Sequence, residues 1–179
     1  MTSIVQKKGS VVWITGLSGA GKTTFMHQLA EELKHKKIKV ICLDGDALRH
    51  VLNLSDTFYS RENRLSLGYV YAKLSKYLAE QGHVVLIATI ALFHELQSWN
   101  RTNLNNYIEV FIDTPDSEIK RRDSKQLQTR HQTGKLSNLV GGDIVPEFPL
   151  DPDYIVKFEP DAKNLNINLI CSRLEGVQN

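Results

Sequence analysis

Residues 16–24 read GLSGAGKTT and follow the apolar run VVWI at residues 11–14 and Thr15. This is the pattern Gly-x-x-x-x-Gly-Lys-Ser/Thr, with a predicted strand before it and an amphipathic helical stretch after it. The glycines allow backbone N–H groups to approach phosphate oxygens, and the helix that begins here adds the positive end of its dipole. A chance glycine-rich turn would not combine these features. The sequence therefore predicts a nucleoside triphosphate site on a strand–loop–helix unit.

Two side chains of this loop carry the predicted chemistry. Lys22 is expected to reach the β- and γ-phosphates, and the hydroxyl of Thr23 to bind Mg²⁺. The other expected phosphate-binding residues are Gly16, Leu17, Ser18, Gly19, Ala20, Gly21 and Thr24.

Composition excludes several functional classes. The 179 residues, 41% of them hydrophobic, predict a single domain over residues 1–179. A net charge of +2 is too small to indicate a nucleic-acid polymer as partner. No apolar stretch approaches the roughly 20 residues of a membrane span, and the first residues lack the apolar core of a signal peptide. We therefore expect a cytoplasmic protein, with Cys42 and Cys171 as buried core thiols.

Apolar runs alternate with helical periodicity along the chain. Strands are predicted at residues 11–15, 39–43, 83–88, 107–112 and 154–158. Continuous apolar strands joined by crossovers long enough for helices indicate a doubly wound α/β domain with a mainly parallel five-stranded sheet. Ligands of such folds bind at the carboxyl ends of the strands.

Two aspartates follow the second predicted strand. A carboxylate at this place, across from a phosphate loop, can hold Mg²⁺ through water or accept a proton from an attacking hydroxyl. Asp46 is the first candidate for the base. Asp44 has two readings, an acceptor-side residue or the cap of the next helix.

Ser60 is predicted to cap a helix that runs to about Gln81 and stops at Gly82. Arg61 and Arg64 are three residues apart, so they share a face and can reach an anionic acceptor together. The alternative for this pair is an ordinary charged helix start in solvent.

Residues from about 116 to 136 form a second basic cluster after a strand that ends in Asp-Thr-Pro. A mobile basic helix that closes on bound ATP would neutralise phosphate charge and exclude water. We therefore predict a helical lid here, although a plain surface helix would also be basic.

With these segments placed, the chain resembles the adenylyl sulfate kinase family over nearly its whole length. The resemblance lies in the combination of the phosphate loop with the motifs CLDGDALR (42–49), YSRENR (59–64), YIEVFIDTP (107–115), RRDSKQL (121–127) and LVGGD (139–143). It implies transfer of the ATP γ-phosphate to the 3′-hydroxyl of a nucleotide that carries a small anionic 5′ group. It also implies Mg²⁺ as cofactor and a homodimer.

Motif matching carries family roles to particular residues. Asp46 and Arg49 match positions that hold the acceptor and the reacting phosphate, and Arg64 matches an acceptor-binding arginine. Lys125 matches the lid lysine, and we expect it to be catalytic together with Lys22 and Asp46. Arg122 matches the arginine that flanks the adenine of ATP.

The departures from the family pattern cluster on the acceptor side. Leu67 stands where the family has an acceptor-binding asparagine, and residues 90–94 read IALFH where the family reads Ile-Ser-Pro-Tyr-Arg. Residues 139–142 read LVGG where the family reads Phe-Thr-Gly-Ile, whose phenylalanine ring stacks on the acceptor base. The residues expected to line the acceptor pocket are Asp44, Arg49, Phe58, Arg61, Arg64, Ile90, Phe93 and Leu139.

These departures leave two acceptors open. Each lost stack or hydrogen bond weakens binding several-fold, and three such losses together are large enough to change the substrate from adenylyl sulfate, the compound of sulfate assimilation. Ile90, Phe93 and Glu95, followed by Asn100-Arg101, resemble the cytidine diphosphoramidate kinases of bacterial capsule biosynthesis, which phosphorylate the same sugar hydroxyl.

Proteins of two other functional classes also contain a phosphate loop. A GTP-dependent switch would need an Asn-Lys-x-Asp motif, which the sequence lacks. A non-catalytic nucleotide sensor could keep the phosphate loop, but it would not need Asp46, Arg64 and a basic lid.

Overall fold

The computed structural model describes residues 8–54, 60–122 and 140–178, and it places five strands in one parallel sheet. The strands are β1 (Ser10–Thr15), β2 (Val40–Asp44), β3 (Val84–Ala88), β4 (Tyr107–Asp113) and β5 (Tyr154–Lys157). Their order across the sheet is β2-β3-β1-β4-β5, with every neighbouring pair parallel. The doubly wound α/β prediction is confirmed, and the strand bounds agree to within one residue.

Six helices connect or follow these strands within the described residues. They are α1 (Lys22–His35), α2 (Gly45–Val51), α3 (Arg61–Glu80), α4 (His94–Asn103), α5 (Asp116–Arg122) and α6 (Pro160–Gln178). Ser60 caps α3 as predicted, because its side chain accepts a hydrogen bond from the Asn63 N–H at 3.2 Å.

The sheet is covered on both faces, which is why its strands are apolar without alternation. On one face, Val12 and Ile14 of β1 belong to a buried cluster with Phe25 of α1 and Ile170 of α6. On the other face, Trp13 belongs to a cluster built from α3 and α4. The central strand β1 is therefore fully buried, and the loop that follows it starts from a fixed point.

The edge position of β2 corrects one expectation. Cys171 is buried as predicted, but Cys42 is exposed. Its strand has only one neighbour, β3, and is half-buried over most of its length. The prediction of a core thiol at Cys42 was wrong because the apolar run alone does not tell an edge strand from a central one.

Candidate active site

The phosphate loop joins the end of β1 to the start of α1. Gly16, Gly19 and Gly21 have φ values of 148°, 80° and 102°, a region that favours glycine. At Gly16 a Cβ atom would also lie 2.8 Å from the backbone carbonyl oxygen of Ile112 on β4. The loop shape is therefore fixed by backbone conformation and by its contact with the neighbouring strand.

The start of α1 presents its N–H groups to this loop. Its N-cap residue is Gly21, which has no side chain to occupy those donors. The Lys22 ammonium donates a hydrogen bond to the Leu17 carbonyl oxygen at 2.7 Å, so the lysine lies across the loop. This arrangement suits a polyphosphate anion.

Asp44 connects the phosphate loop to α2. The Thr23 hydroxyl donates to Oδ2 of Asp44 at 2.6 Å, while Oδ1 accepts from the N–H groups of Asp46 at 2.9 Å and Ala47 at 3.2 Å. Asp44 is thus the cap of α2, and the same carboxylate contacts the residue expected to bind Mg²⁺. The reading as a helix cap is confirmed, and the acceptor-side role of Asp44 stays a prediction.

Asp46 and Arg49 lie on α2, the first in its first turn and the second in its last. Asp46 is exposed, as a base that must meet a substrate requires. The start of α2 is joined to α3, because the Tyr71 hydroxyl donates to the Gly45 carbonyl oxygen at 3.0 Å. A Cβ atom at Gly45 would lie 3.2 Å from the Ala88 carbonyl oxygen.

The loop after β3 forms a wall next to the phosphate loop. Leu92 packs with Val140 and Ile144 in a small buried cluster, against which Leu17 and Ile90 also pack. Phe93 is fully buried in the cluster beneath α3 and α4. Of the predicted acceptor residues in this loop, Ile90 packs against the Leu92 cluster, whereas Phe93 points into the core beneath α3 and α4. Residues 140–144 brace the wall against the phosphate loop through Leu92 and Leu17.

Leu67 occupies a different environment from the polar residue of the family pattern. It is buried on α3 and packs in the same cluster as Tyr71, Phe93 and Leu96. An aliphatic side chain is suited to this place because its neighbours are apolar and it is buried.

Arg61 and Arg64 lie in the first turn of α3, close to that wall. The Arg61 guanidinium donates to Oε1 of Glu147 at 2.7 Å and lies 5.1 Å from the centre of the Phe93 ring. This hydrogen bond, together with the His94 backbone N–H, lowers the pKa of Glu147. Sequence reasoning did not identify Glu147, which stands alone in a proline-containing stretch and reaches its partners only in the folded chain.

Arg122 ends α5 and lies at the phosphate loop. Its guanidinium is 4.8 Å from the centre of the Phe158 ring and donates to Glu118 at 2.6 Å. Arg121 and Arg122 hydrogen-bond the Glu118 carboxylate and lower its pKa to about 2. A Cβ atom at Gly21 would lie 3.5 Å from Nη1 of Arg122. The arginine expected to flank adenine is therefore next to the loop, and Phe158 is a ring that sequence reasoning missed.

A cavity of about 310 Å³ opens beside the phosphate loop. Leu17, Phe111, Ile119 and Phe148 line it. It lies at the carboxyl end of β4, where the fold places ligands, and not above Asp46.

Arg101 has a structural role. The Arg101 guanidinium donates to Glu109 at 3.0 Å and to Asp153 at 2.7 Å, and it lies 5.1 Å from the centre of the Tyr107 ring. Burial raises the pKa of Glu109. Asn100 is fully buried. The contacts of Arg101 join α4 to β4 and to the segment before β5, so this arginine stabilises the fold.

Three predicted site residues, Phe58, Lys125 and Leu139, lie outside the described residues, as does the predicted lid beyond residue 122. Within the part of the chain that the structure describes, no helix is both long enough and apolar enough to cross a membrane.

The chain matches the family model of adenylylsulphate kinase over residues 8–157. It is 40% identical to a cytidine diphosphoramidate kinase of Campylobacter jejuni, an alignment that covers 82% of this chain and 84% of the relative. It is 36% identical to an adenylyl-sulfate kinase of Pseudomonas aeruginosa, over 99% of this chain and 91% of the relative.

One solved structure is similar over nearly the whole chain. The Mycobacterium tuberculosis APS kinase CysC, in complex with AMPPNP and APS, is 30% identical, and the alignment covers 94% of this chain and 98% of that one. The TM-score is 0.83.

Proposed function

The chain belongs to the adenylylsulphate kinase family, and on that premise we propose that it transfers the ATP γ-phosphate to the 3′-hydroxyl of a nucleotide with a small anionic 5′ group. The chain is an ATP-dependent kinase with a hydroxyl acceptor. The observation that carries the proposal is the 2.6 Å hydrogen bond from Thr23 to Asp44. It fixes the phosphate loop to the helix on which Asp46 lies, so donor and acceptor chemistry share one crevice.

In the proposed mechanism, Lys22 and the loop N–H groups hold the phosphates of ATP. Asp46 orients the acceptor hydroxyl or takes its proton as that oxygen attacks the γ-phosphorus and the bond to the β-phosphate oxygen breaks. Arg61 and Arg64 bind the anionic acceptor from α3. Positioning of the two substrates provides most of the rate.

The donor atoms at Thr23 and Asp44 fit Mg²⁺, which in kinases takes few protein oxygens together with waters and substrate phosphates. A hydroxyl and a carboxylate oxygen lie 2.6 Å apart there. These two residues would hold the ion, which would neutralise charge on the β- and γ-phosphates.

Adenylyl sulfate is the first acceptor we propose, with 3′-phosphoadenylyl sulfate as product. The Pseudomonas aeruginosa relative and the Mycobacterium tuberculosis structure support this choice, because each resembles the chain over more than nine-tenths of its length.

Cytidine diphosphoramidate is the second acceptor that we propose, and the changed residues in the wall after β3 favour it. Ala91, Leu92 and His94 replace the serine, the proline and the arginine of the family pattern, and Leu67 is buried in the core. The Campylobacter jejuni relative carries this activity in its name. A pyrimidine is smaller than adenine and suits a pocket that has lost an aromatic ring.

The test is ATP-to-ADP conversion with Mg²⁺, measured with adenylyl sulfate, with cytidine diphosphoramidate and without acceptor. Lys22→Ala serves as the control for contaminating kinases. Acceptor-dependent turnover identifies the substrate, and turnover with neither nucleotide would contradict the proposal and favour a nucleotide sensor.

We further propose a cytoplasmic homodimer. The free thiol of exposed Cys42 and the need for ATP fit a reducing, ATP-containing compartment. Light scattering coupled to size exclusion should give twice the chain mass of 20.3 kDa. A single-chain mass would contradict the dimer.

A further inference from the structure

We propose that Glu147 is a positioning residue of the acceptor pocket, because its carboxylate fixes the start of α3 to the start of α4. This inference rests on the proposed function, since it concerns how the acceptor is held. Neither the loop motif nor the basic clusters of the sequence point to this residue.

The two carboxylate oxygens of Glu147 have separate partners on separate helices. Oε1 accepts from Arg61, the first residue of α3, at 2.7 Å. Oε2 accepts from the backbone N–H of His94, the first residue of α4, also at 2.7 Å. Both bonds are charge-assisted, which makes them short and directional. One side chain therefore joins two helix starts that are distant in sequence.

The backbone around Glu147 is held independently of its carboxylate. The Glu147 N–H donates to the Leu92 carbonyl oxygen at 3.1 Å, and its own carbonyl oxygen accepts from Gln97 at 2.9 Å. A ring nitrogen of His94 is hydrogen-bonded to the Phe148 carbonyl oxygen at 2.9 Å. A neutral side chain at residue 147 should therefore leave this segment in place while it loosens Arg61.

The elements that Glu147 joins hold several predicted acceptor residues. Arg61 and Arg64 belong to α3, while Ile90 and Phe93 belong to the wall that leads into α4. The Arg61 guanidinium also rests 5.1 Å from the Phe93 ring centre, so its orientation is set by a buried ring and a carboxylate together. Phosphoryl transfer is sensitive to displacements of about 1 Å, so loosening this arrangement should act on the acceptor.

Glu95 provides a matched control at the same guanidinium. Its carboxylate is 3.8 Å from Nη1 of Arg61 and its side chain is 52% exposed, against 28% for Glu147. Glu95→Gln removes the same charge as Glu147→Gln at a longer and more solvated contact.

The kinetic test uses whichever nucleotide the unaltered enzyme phosphorylates. For Glu147→Gln we expect the acceptor KM to rise about tenfold while the ATP KM stays within about twofold. For Glu95→Gln both values should stay within about twofold. In an Arg61→Gln background, Glu147→Gln should raise the acceptor KM by less than it does in the unaltered enzyme, because only its contact with His94 remains to be lost.

Hydrogen exchange of the ligand-free protein tests the same contact without catalysis. In Glu147→Gln, the amide of His94 and the first turn of α3 should exchange several-fold faster than in the unaltered protein, and in Glu95→Gln they should not. If neither nucleotide is phosphorylated by the unaltered enzyme, the proposed function fails, yet the exchange result still decides whether Glu147 holds the helix starts.

Three outcomes would overturn the inference. They are equal losses for ATP and acceptor in Glu147→Gln, an equal effect of Glu95→Gln, and unchanged exchange at His94 and α3.

Discussion

The donor side and the acceptor side of this site are built differently. The phosphate loop is held by backbone conformation, with three glycines at positive φ and a contact between Gly16 and the Ile112 carbonyl. The acceptor wall is held by side chains from three segments, among them the contacts of Glu147 with Arg61 and His94. A site made from one short stretch can be recognised in sequence, whereas a site made across segments depends on the fold.

The largest expected effect is on the donor side. Lys22→Ala removes the ammonium that lies across the loop and should lower turnover by at least about 10³-fold. The measurement is acceptor-dependent ADP formation at saturating ATP. Residual activity within tenfold of the unaltered enzyme would remove Lys22 from the phosphate site.

Asp46→Asn should lower kcat by about 10²-fold with ATP affinity nearly unchanged, because the amide keeps the shape but cannot take a proton. Steady-state kinetics and ATP titration give the two values. Since Asp46 is exposed on α2, the melting temperature serves as control. Turnover near that of the unaltered enzyme would exclude Asp46 as the base.

Gly16→Ala tests the claim that backbone geometry builds the donor side. The added Cβ would lie 2.8 Å from the Ile112 carbonyl oxygen at a φ of 148°. ATP affinity should fall about tenfold or more, since such strain costs on the order of 1–3 kcal/mol. Gly176→Ala is the control, because no atom lies within 4 Å of a Cβ atom there. Equal ATP affinity in both variants would contradict the claim.

Arg64→Ala tests whether separate residues bind the donor and the acceptor. The acceptor KM should rise about tenfold with little change in the ATP KM, because the arginine is expected to bind only the acceptor. Competition by unreactive ATP analogues provides a check on donor binding. Equal losses for both substrates would place Arg64 between the two sides.

The smallest expected effect concerns pH and the pair of Glu147 with Arg61. The pKa of Glu147 is lowered in the folded protein, so its contribution to stability is present above the unfolded pKa and is lost as pH falls through the folded value. Because Arg61 is 43% exposed, solvent screens the pair, and the contribution should be at most about 1 kcal/mol. The measurement compares melting of the unaltered protein and Glu147→Gln at neutral pH and below pH 4. A difference that grows in acid would contradict this assignment.

Local patterns were sufficient for most of the fold. The five strands and the capped start of α3 follow from apolar runs and from Ser60, and both agree with the structure. The exposure of Cys42 did not follow, because strand order decides which strand lies at the edge. The double contact of Asp44 with the start of α2 and with Thr23 required the tertiary structure, since either contact alone fits the sequence.

The sequence by itself determined the phosphate loop, the sheet and the candidate base, because each depends on residues close together in the chain and on regular backbone geometry. Only the tertiary structure decided that Arg61 contacts Glu147 and that Arg101 stabilises the fold. These contacts join residues as far as 86 positions apart, and such a pairing is set by how the helices pack on the sheet. Periodicity and local propensity carry no information about it.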